Sequence, residues 1–183
     1  LANCNKRRNR GANPEAGVQQ CHLVETGVKP FAHASAINCL DVTGSVAATG
    51  GDDCDLNITD LTTLQCTAAL RRHKKAVYCC KISGPLLFSG SFDSTVCLWD
   101  VRSKTSVCEL LGHTYRVYCL SSVLGSHRIC SGGGDGSIKV WDLRKLEALH
   151  TMTTSTDDWV ESMMSEGGSG LVTGGGDGQV RMW

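Results

Sequence analysis

No stretch of the 183 residues approaches the roughly 20 consecutive apolar residues of a membrane span, and no run carries the hydrophobic core of a secretion signal. Net charge is missing as well. Eighteen Lys and Arg balance 18 Asp and Glu, so no global field draws nucleic acid or a lipid surface. A membrane role is not expected, and nucleic acid binding would need a local patch. The one basic run, Lys6-Arg7-Arg8 with Arg10, lies in a polar segment without hydrophobic period. It reads as a solvated tail, with nuclear import or RNA contact as the lesser reading. Cys-x-x-Cys is absent although the chain holds 11 cysteines. The count is odd, and Cys79, Cys80, Cys97, Cys119 and Cys130 sit inside apolar, strand-like runs. Reduced, buried thiols of an intracellular protein, cytoplasmic or nuclear, fit this pattern better than a disulfide framework. Structural zinc wants paired ligands at short spacing, so no metal is expected. Asn57-Ile58-Thr59 matches the N-glycosylation acceptor, but it falls mid-strand and reads as accidental.

What is present is a repeat. Trp99, Trp141 and Trp183 are spaced by 42 residues, and Thr59 stands 40 residues before Trp99. His33, His73 and His113 are spaced by 40. Six residues before each Trp position is an aspartate (Asp53, Asp93, Asp135, Asp177), and four before that a hydroxyl (Thr49, Ser89, Ser131, Thr173). Leu86 to Ser91 reads as a short strand, Phe92-Asp93-Ser94 as a turn, and Thr95 to Trp99 as a second strand of period two. Gly132-Gly133-Gly134 and Gly174-Gly175-Gly176 sit where backbones approach closely or turn tightly. No run between repeats reads as a helix of useful length. Four short antiparallel strands in about 40 residues are the pattern of a propeller blade.

His113 after Gly112, followed by Ser131-Gly132-Gly133-Gly134-Asp135-Gly136-Ser137-Ile138-Lys139-Val140-Trp141-Asp142, resembles a WD repeat. The resemblance covers about residues 29–183, with repeats near 29–61, 66–101, 108–143 and 149–183, and leaves 1–28 as a polar segment. Val18, Leu23 and Val24 permit a strand of a preceding blade there. The expected fold is all-β: a WD-repeat β-propeller segment of four-stranded antiparallel blades. Rings close with about 4–8 blades; with about four repeats, a start at Leu1 and a stop at Trp183 without a following Asp or outer strand, the chain reads as a fragment of a larger ring, taken as seven-bladed ahead of a four-bladed ring. The resemblance implies a buried network of His73, Ser89, Asp93 and Trp99 in one repeat, and of His113, Ser131, Asp135 and Trp141 in the next. The outer repeats are incomplete. Thr59 replaces Trp in the first, and Ser155 or Thr156 falls where the last should carry His, so Asp53 and Asp177 are expected to lean on water, with Trp183 completing the last repeat.

Catalytic readings fare poorly. Gly174-Gly175-Gly176-Asp177-Gly178 lacks a following Lys-Ser/Thr or helix, so it is turn glycine and not a phosphate loop. His, Ser and Asp suggest a hydrolase triad, but the trio recurs with Trp in two repeats, as a structural network does. No paired carboxylates, metal cluster or nucleophile elbow stands elsewhere, so no cofactor and no small-molecule substrate are expected. The resemblance implies instead that other proteins bind the top of the ring. The matching positions include Tyr78, Phe92, Arg116, Tyr118 and Trp159, a concentration on one face in a chain with 3 Tyr, 4 Trp and 3 Phe. Such side chains make interface hot spots, although Tyr78 and Tyr118 packing between blades is the plain alternative. Trp99-Asp100-Val101-Arg102 and Trp141-Asp142-Leu143-Arg144 also resemble the Trp-Asp-x-Arg box of cullin–RING ligase substrate receptors. That likeness implies adaptor contact through Arg102 and Arg144. The expected function is a non-catalytic scaffold or adaptor, with a ubiquitin-ligase substrate receptor as the alternative.

Overall fold

A computed structural model describes residues 33–123, 127–154, 158–166 and 170–183. The readings made for residues 1–28 and for Ser155 and Thr156 lie outside the described residues. Every regular element among those residues is a strand, and the strands follow one another as antiparallel hairpins. The first sheet is β1 (Ile37–Thr43), β2 (Val46–Gly51), β3 (Asp55–Asp60) and β4 (Gln65–Arg71). The second is β5 (Val77–Ser83), β6 (Leu86–Ser91), β7 (Val96–Asp100) and β8 (Thr105–Leu110). The third is β9 (Val117–Ser122), β10 (Arg128–Gly133), β11 (Ser137–Asp142) and β12 (Glu147–Thr153). The last holds three strands, β13 (Val160–Glu166), β14 (Gly170–Gly175) and β15 (Val180–Met182).

A single sheet of short strands has no core of its own, so burial comes from stacking sheet on sheet. Ala48, Leu56, Ile58, Leu87 and Trp99 fill the first seam. Phe88, Leu98, Val117, Ile129 and Trp141 fill the second, and Cys119, Cys130, Ile138, Val160 and Leu171 the third. Polar links cross the seams too: Asp41 accepts from Lys81 Nζ at 3.1 Å and from the Ile82 amide at 2.7 Å. The inner strands β1, β5, β9 and β13 contact one another in sequence, and the first and last sheets each leave apolar side chains exposed. Leu40 and Val42 are exposed on β1, and Met164, Val180 and Met182 on the last sheet.

The turns divide into two ends. The lower end carries the turns after β3, β7 and β11. There Asp60, Asp100 and Asp142 accept from backbone amides two residues on, at 2.7, 2.8 and 2.9 Å. This is why an Asp follows the Trp: it closes the turn locally. The upper end carries the turns after β2, β6, β10 and β14. The residue after each turn aspartate there is left-handed: Cys54 (φ 69°), Ser94 (φ 71°), Gly136 (φ 69°) and Gly178 (φ 74°).

Candidate functional site

Beneath the upper end the repeated polar residues meet. His73 Nδ1 lies 2.9 Å from Asp93, His73 Nε2 lies 2.8 Å from Ser89 Oγ, and Trp99 Nε1 donates to Ser89 Oγ at 2.8 Å. The third blade repeats this, with His113 Nδ1 to Asp135 at 2.9 Å, His113 Nε2 to Ser131 Oγ at 2.7 Å, and Trp141 Nε1 to Ser131 Oγ at 2.8 Å. A neutral imidazole protonated on Nδ1 satisfies every atom, a tautomer assigned from the network. Trp donates to Ser, Ser donates to Nε2, and Nδ1–H donates to the carboxylate.

The connectivity matches a hydrolase triad, but the environment excludes that chemistry at these residues. Ser89 and Ser131 are fully buried, and each hydroxyl oxygen already accepts from an indole. No substrate carbonyl reaches a nucleophile so enclosed.

The outer blades solve the same problem differently. In the first, His33 bridges Asp53 (2.9 Å) and Thr49 Oγ1 (2.8 Å), and Thr59 leaves the hydroxyl without an indole. In the last, Trp183 Nε1 donates to Thr173 Oγ1 at 2.8 Å, and Arg181 Nη1 donates to Asp177 at 3.2 Å. Asp53 and Asp177, expected to depend more on water, both take protein donors. The Ala34 amide at 2.8 Å joins His33 on Asp53, and the Gln179 amide at 3.0 Å joins Arg181 on Asp177. Arg181 was not singled out from the sequence. Its signal is an arginine four residues after the turn aspartate, where the other repeats carry Asn57, Cys97 and Lys139.

Burial opposes the charge on Asp93, yet hydrogen bonds from His73, Thr95 and the Lys74 amide hold its carboxyl well below the usual range. Asp135 is held down likewise against burial, by His113, Ser137 and the Thr114 amide. A folded-state value below the unfolded one, near 3.8, gives stabilisation that is complete above that pH and is lost as pH falls below it. The thermal midpoint should therefore be flat from neutral pH down to about 5 and drop below about 4. In D93N/D135N the acid drop should be shallower. An unchanged acid limb in that variant would remove these carboxylates as its cause.

The upper surface is shaped by a bulge at the start of each inner strand. Val77 pairs with Ser91 and Cys79 with Gly90, so Tyr78 is skipped; Tyr118 is skipped between Val117 and Cys119. Asn38 and Glu161 occupy the same position in β1 and β13. A bulge re-aims its side chain. Tyr78 stacks on Phe92 with centroids 4.9 Å apart, and Tyr118 meets both rings edge-on at 5.6 and 5.9 Å. The Arg116 guanidinium lies over Phe92 at 4.3 Å and beside Tyr115 at 5.4 Å. Four of the five expected face residues thus form one half-buried cluster spanning the second and third blades. Tyr115, half exposed, joins it and was missed by the sequence reading. Trp159 stands apart on the last blade, exposed, with its ring across Gly176 where an added Cβ would come within 2.3 Å.

Arg102 and Arg144 lie at the lower end, in the turns after β7 and β11. Arg144 pairs with Asp142 at 3.4 Å while largely exposed, and the Arg102 amide is held by Asp100. Asn57 is buried in β3. Nine cysteines are free among the described residues. Burial pushes Cys97 and Cys119 up to about 12 and Cys130 to about 11, which keeps the thiols protonated and poor as ligands. Among the described residues no helix is long and apolar enough to cross a membrane.

Four segments, residues 26–60, 64–100, 104–142 and 146–183, match the family model of the WD domain, G-beta repeat. Among solved structures the chain is similar to U3-55K, with 28% identity over 82% of this chain and 49% of that one, and a TM-score of 0.79. The WD40 repeats of RRP9 give 28% identity, 82% and 48% coverage, and a TM-score of 0.79. The computationally designed Ika4 protein gives 25% identity over 88% of this chain and 98% of that one, again with a TM-score of 0.79. The chain spans about half the length of the U3-55K and RRP9 chains. No curated protein sequence matches it.

Proposed function

Because the chain belongs to the WD-repeat family, whose proteins generally act as interaction scaffolds on a typically non-catalytic fold, we propose that it is a scaffold or adaptor that seats a partner protein on its upper face. The observation that carries this reading is the cluster of Tyr78, Phe92, Tyr118 and Arg116. Its rings are held by one another and by bulged backbone, so little side-chain freedom is lost when a partner covers them. Large, rigid, amphipathic side chains are what interface hot spots are made of. Trp159 extends the face onto the last blade. The free thiols favour work in a reducing, intracellular compartment.

Replacing Tyr78, Phe92, Arg116, Tyr118 and Trp159 by alanine together should abolish partner capture in affinity purification, with a circular dichroism spectrum like the parent's. The lower-end variant R102A/R144A serves as the control and should retain capture. Undiminished capture by the five-residue variant would place the interface elsewhere. Loss of cullin components in R102A/R144A alone would favour the ligase-receptor reading.

A further inference from the structure

We infer that the upper face recognises an acidic segment of its partner, with an aspartate or glutamate carboxylate seated on Arg116 beside an apolar side chain on the aromatic cluster. The inference rests on the proposed scaffold reading and specifies what that face selects. Arg116 lies over rings from two blades, Phe92 of the second at 4.3 Å and Tyr115 of the third at 5.4 Å. A guanidinium beside aromatic rings gains from their quadrupoles and still carries five N–H donors. Among the described residues no carboxylate pairs with the Arg116 guanidinium, although aspartates and glutamates pair with Arg71, Arg72, Lys81, Arg144 and Arg181. A planar fork held beside two rings, without a carboxylate partner among the described residues, is suited to bidentate binding of a carboxylate.

The surroundings select the class of anion. Lys74 and Lys75, both exposed, lie in the link before β5 on the same end and add positive charge over the second blade. Asp52 on the first blade, whose carboxylate takes the Asn38 amide at 2.7 Å, and Asp158 and Glu161 on the last carry the opposite sign. A single arginine between flanking carboxylates suits one negative charge. Phosphate-reading sites gather several arginines, and a dianion would meet stronger repulsion from those flanks. The rings of Tyr78, Phe92 and Tyr118 then offer apolar surface next to the acid.

The test uses the full chain and a random phage-displayed peptide library. Selected peptides are synthesised with amidated ends and measured by fluorescence polarisation. Binders should share an Asp or Glu next to Leu, Phe or Trp. Replacing that acid by its amide, or Arg116 by Gln in the chain, should each weaken binding roughly tenfold to a hundredfold. The two changes together should cost no more than either alone, because they remove one interaction. Arg116→Lys should recover part of the loss, since it keeps charge without the planar fork. Binders that need Tyr78 and Tyr118 but carry no common acid, or ignore Arg116→Gln, would overturn the inference and leave the scaffold reading standing. Tighter binding of a phosphoserine version would overturn it in favour of phosphate. Binders indifferent to all five face residues would overturn both.

Discussion

Replacing Ser131 with alanine should lower the thermal midpoint by about 5–15 °C, a large effect for the loss of one oxygen atom. Ser131 Oγ sits between Trp141 Nε1 at 2.8 Å and His113 Nε2 at 2.7 Å, and all three residues are buried. Its removal orphans an indole donor and an imidazole acceptor at once. Each buried unpaired group costs about 1–3 kcal/mol, and each kcal/mol is about 2–4 °C in a chain of this size. Trp141→Phe removes the donor together with its need for a partner. The double variant S131A/W141F should therefore cost less than the sum of the two single changes. Strict additivity would mean that the indole and the hydroxyl do not stabilise one another. A midpoint within a degree or two of the parent would show that the network contributes little.

The second large effect is expected where two blades touch. Gly132 lies in β10, and a Cβ placed there would come 2.7 Å from Cys119 Sγ, 2.7 Å from Val160 Cγ1 and 2.8 Å from Met163 Cε. Met163 can yield at its flexible end, but Cys119 and Val160 are short, buried and stiff at the backbone. Gly132→Ala should therefore cost about 1–3 kcal/mol by overpacking, and Gly132→Val more. Chemical denaturation reads the loss. Cys119→Ala in the same chain returns volume, so the pair should be less destabilised than the two changes summed. No rescue by Cys119→Ala would put the strain elsewhere, in the backbone of β10. Gly50 and Gly90 repeat this geometry against Cys39 with Val77 and Cys79 with Val117, so the same experiment applies to each seam.

The residues themselves show why one part of this architecture was readable and another was not. His73, Ser89, Asp93 and Trp99 recur at fixed spacing because their contacts close within one blade, across strands joined by short hairpins. Any sequence that keeps the hairpins keeps the register, so the pattern survives as spacing. The same holds for the strands: β6 (Leu86–Ser91) and the turn at Phe92-Asp93-Ser94 fall where the alternation and turn residues place them. The incomplete blades are harder to read. A missing histidine is visible at once, but its replacement by Arg181 is not, because a cation can reach Asp177 from another strand position.

The candidate face divides along the same line. Sequence register placed Tyr78, Phe92, Arg116 and Tyr118 at corresponding points of their repeats, and it left open whether the tyrosines pack or face outward. The structure brings them together, half-buried, in one cluster. That outcome depends on the bulges at Tyr78 and Tyr118, which pairing geometry reveals and composition does not. It also depends on contacts such as Arg116 over Phe92, which join different blades. By itself, then, the sequence determined the blades, their register and the buried network, because these rest on interactions local to one repeat. Only the tertiary structure decided which side chains meet across a seam, that Tyr115 joins them, and that Arg116 lies by the rings with no carboxylate partner among the described residues. Those contacts arise from the stacking of separate sheets, and no spacing within a single repeat encodes them.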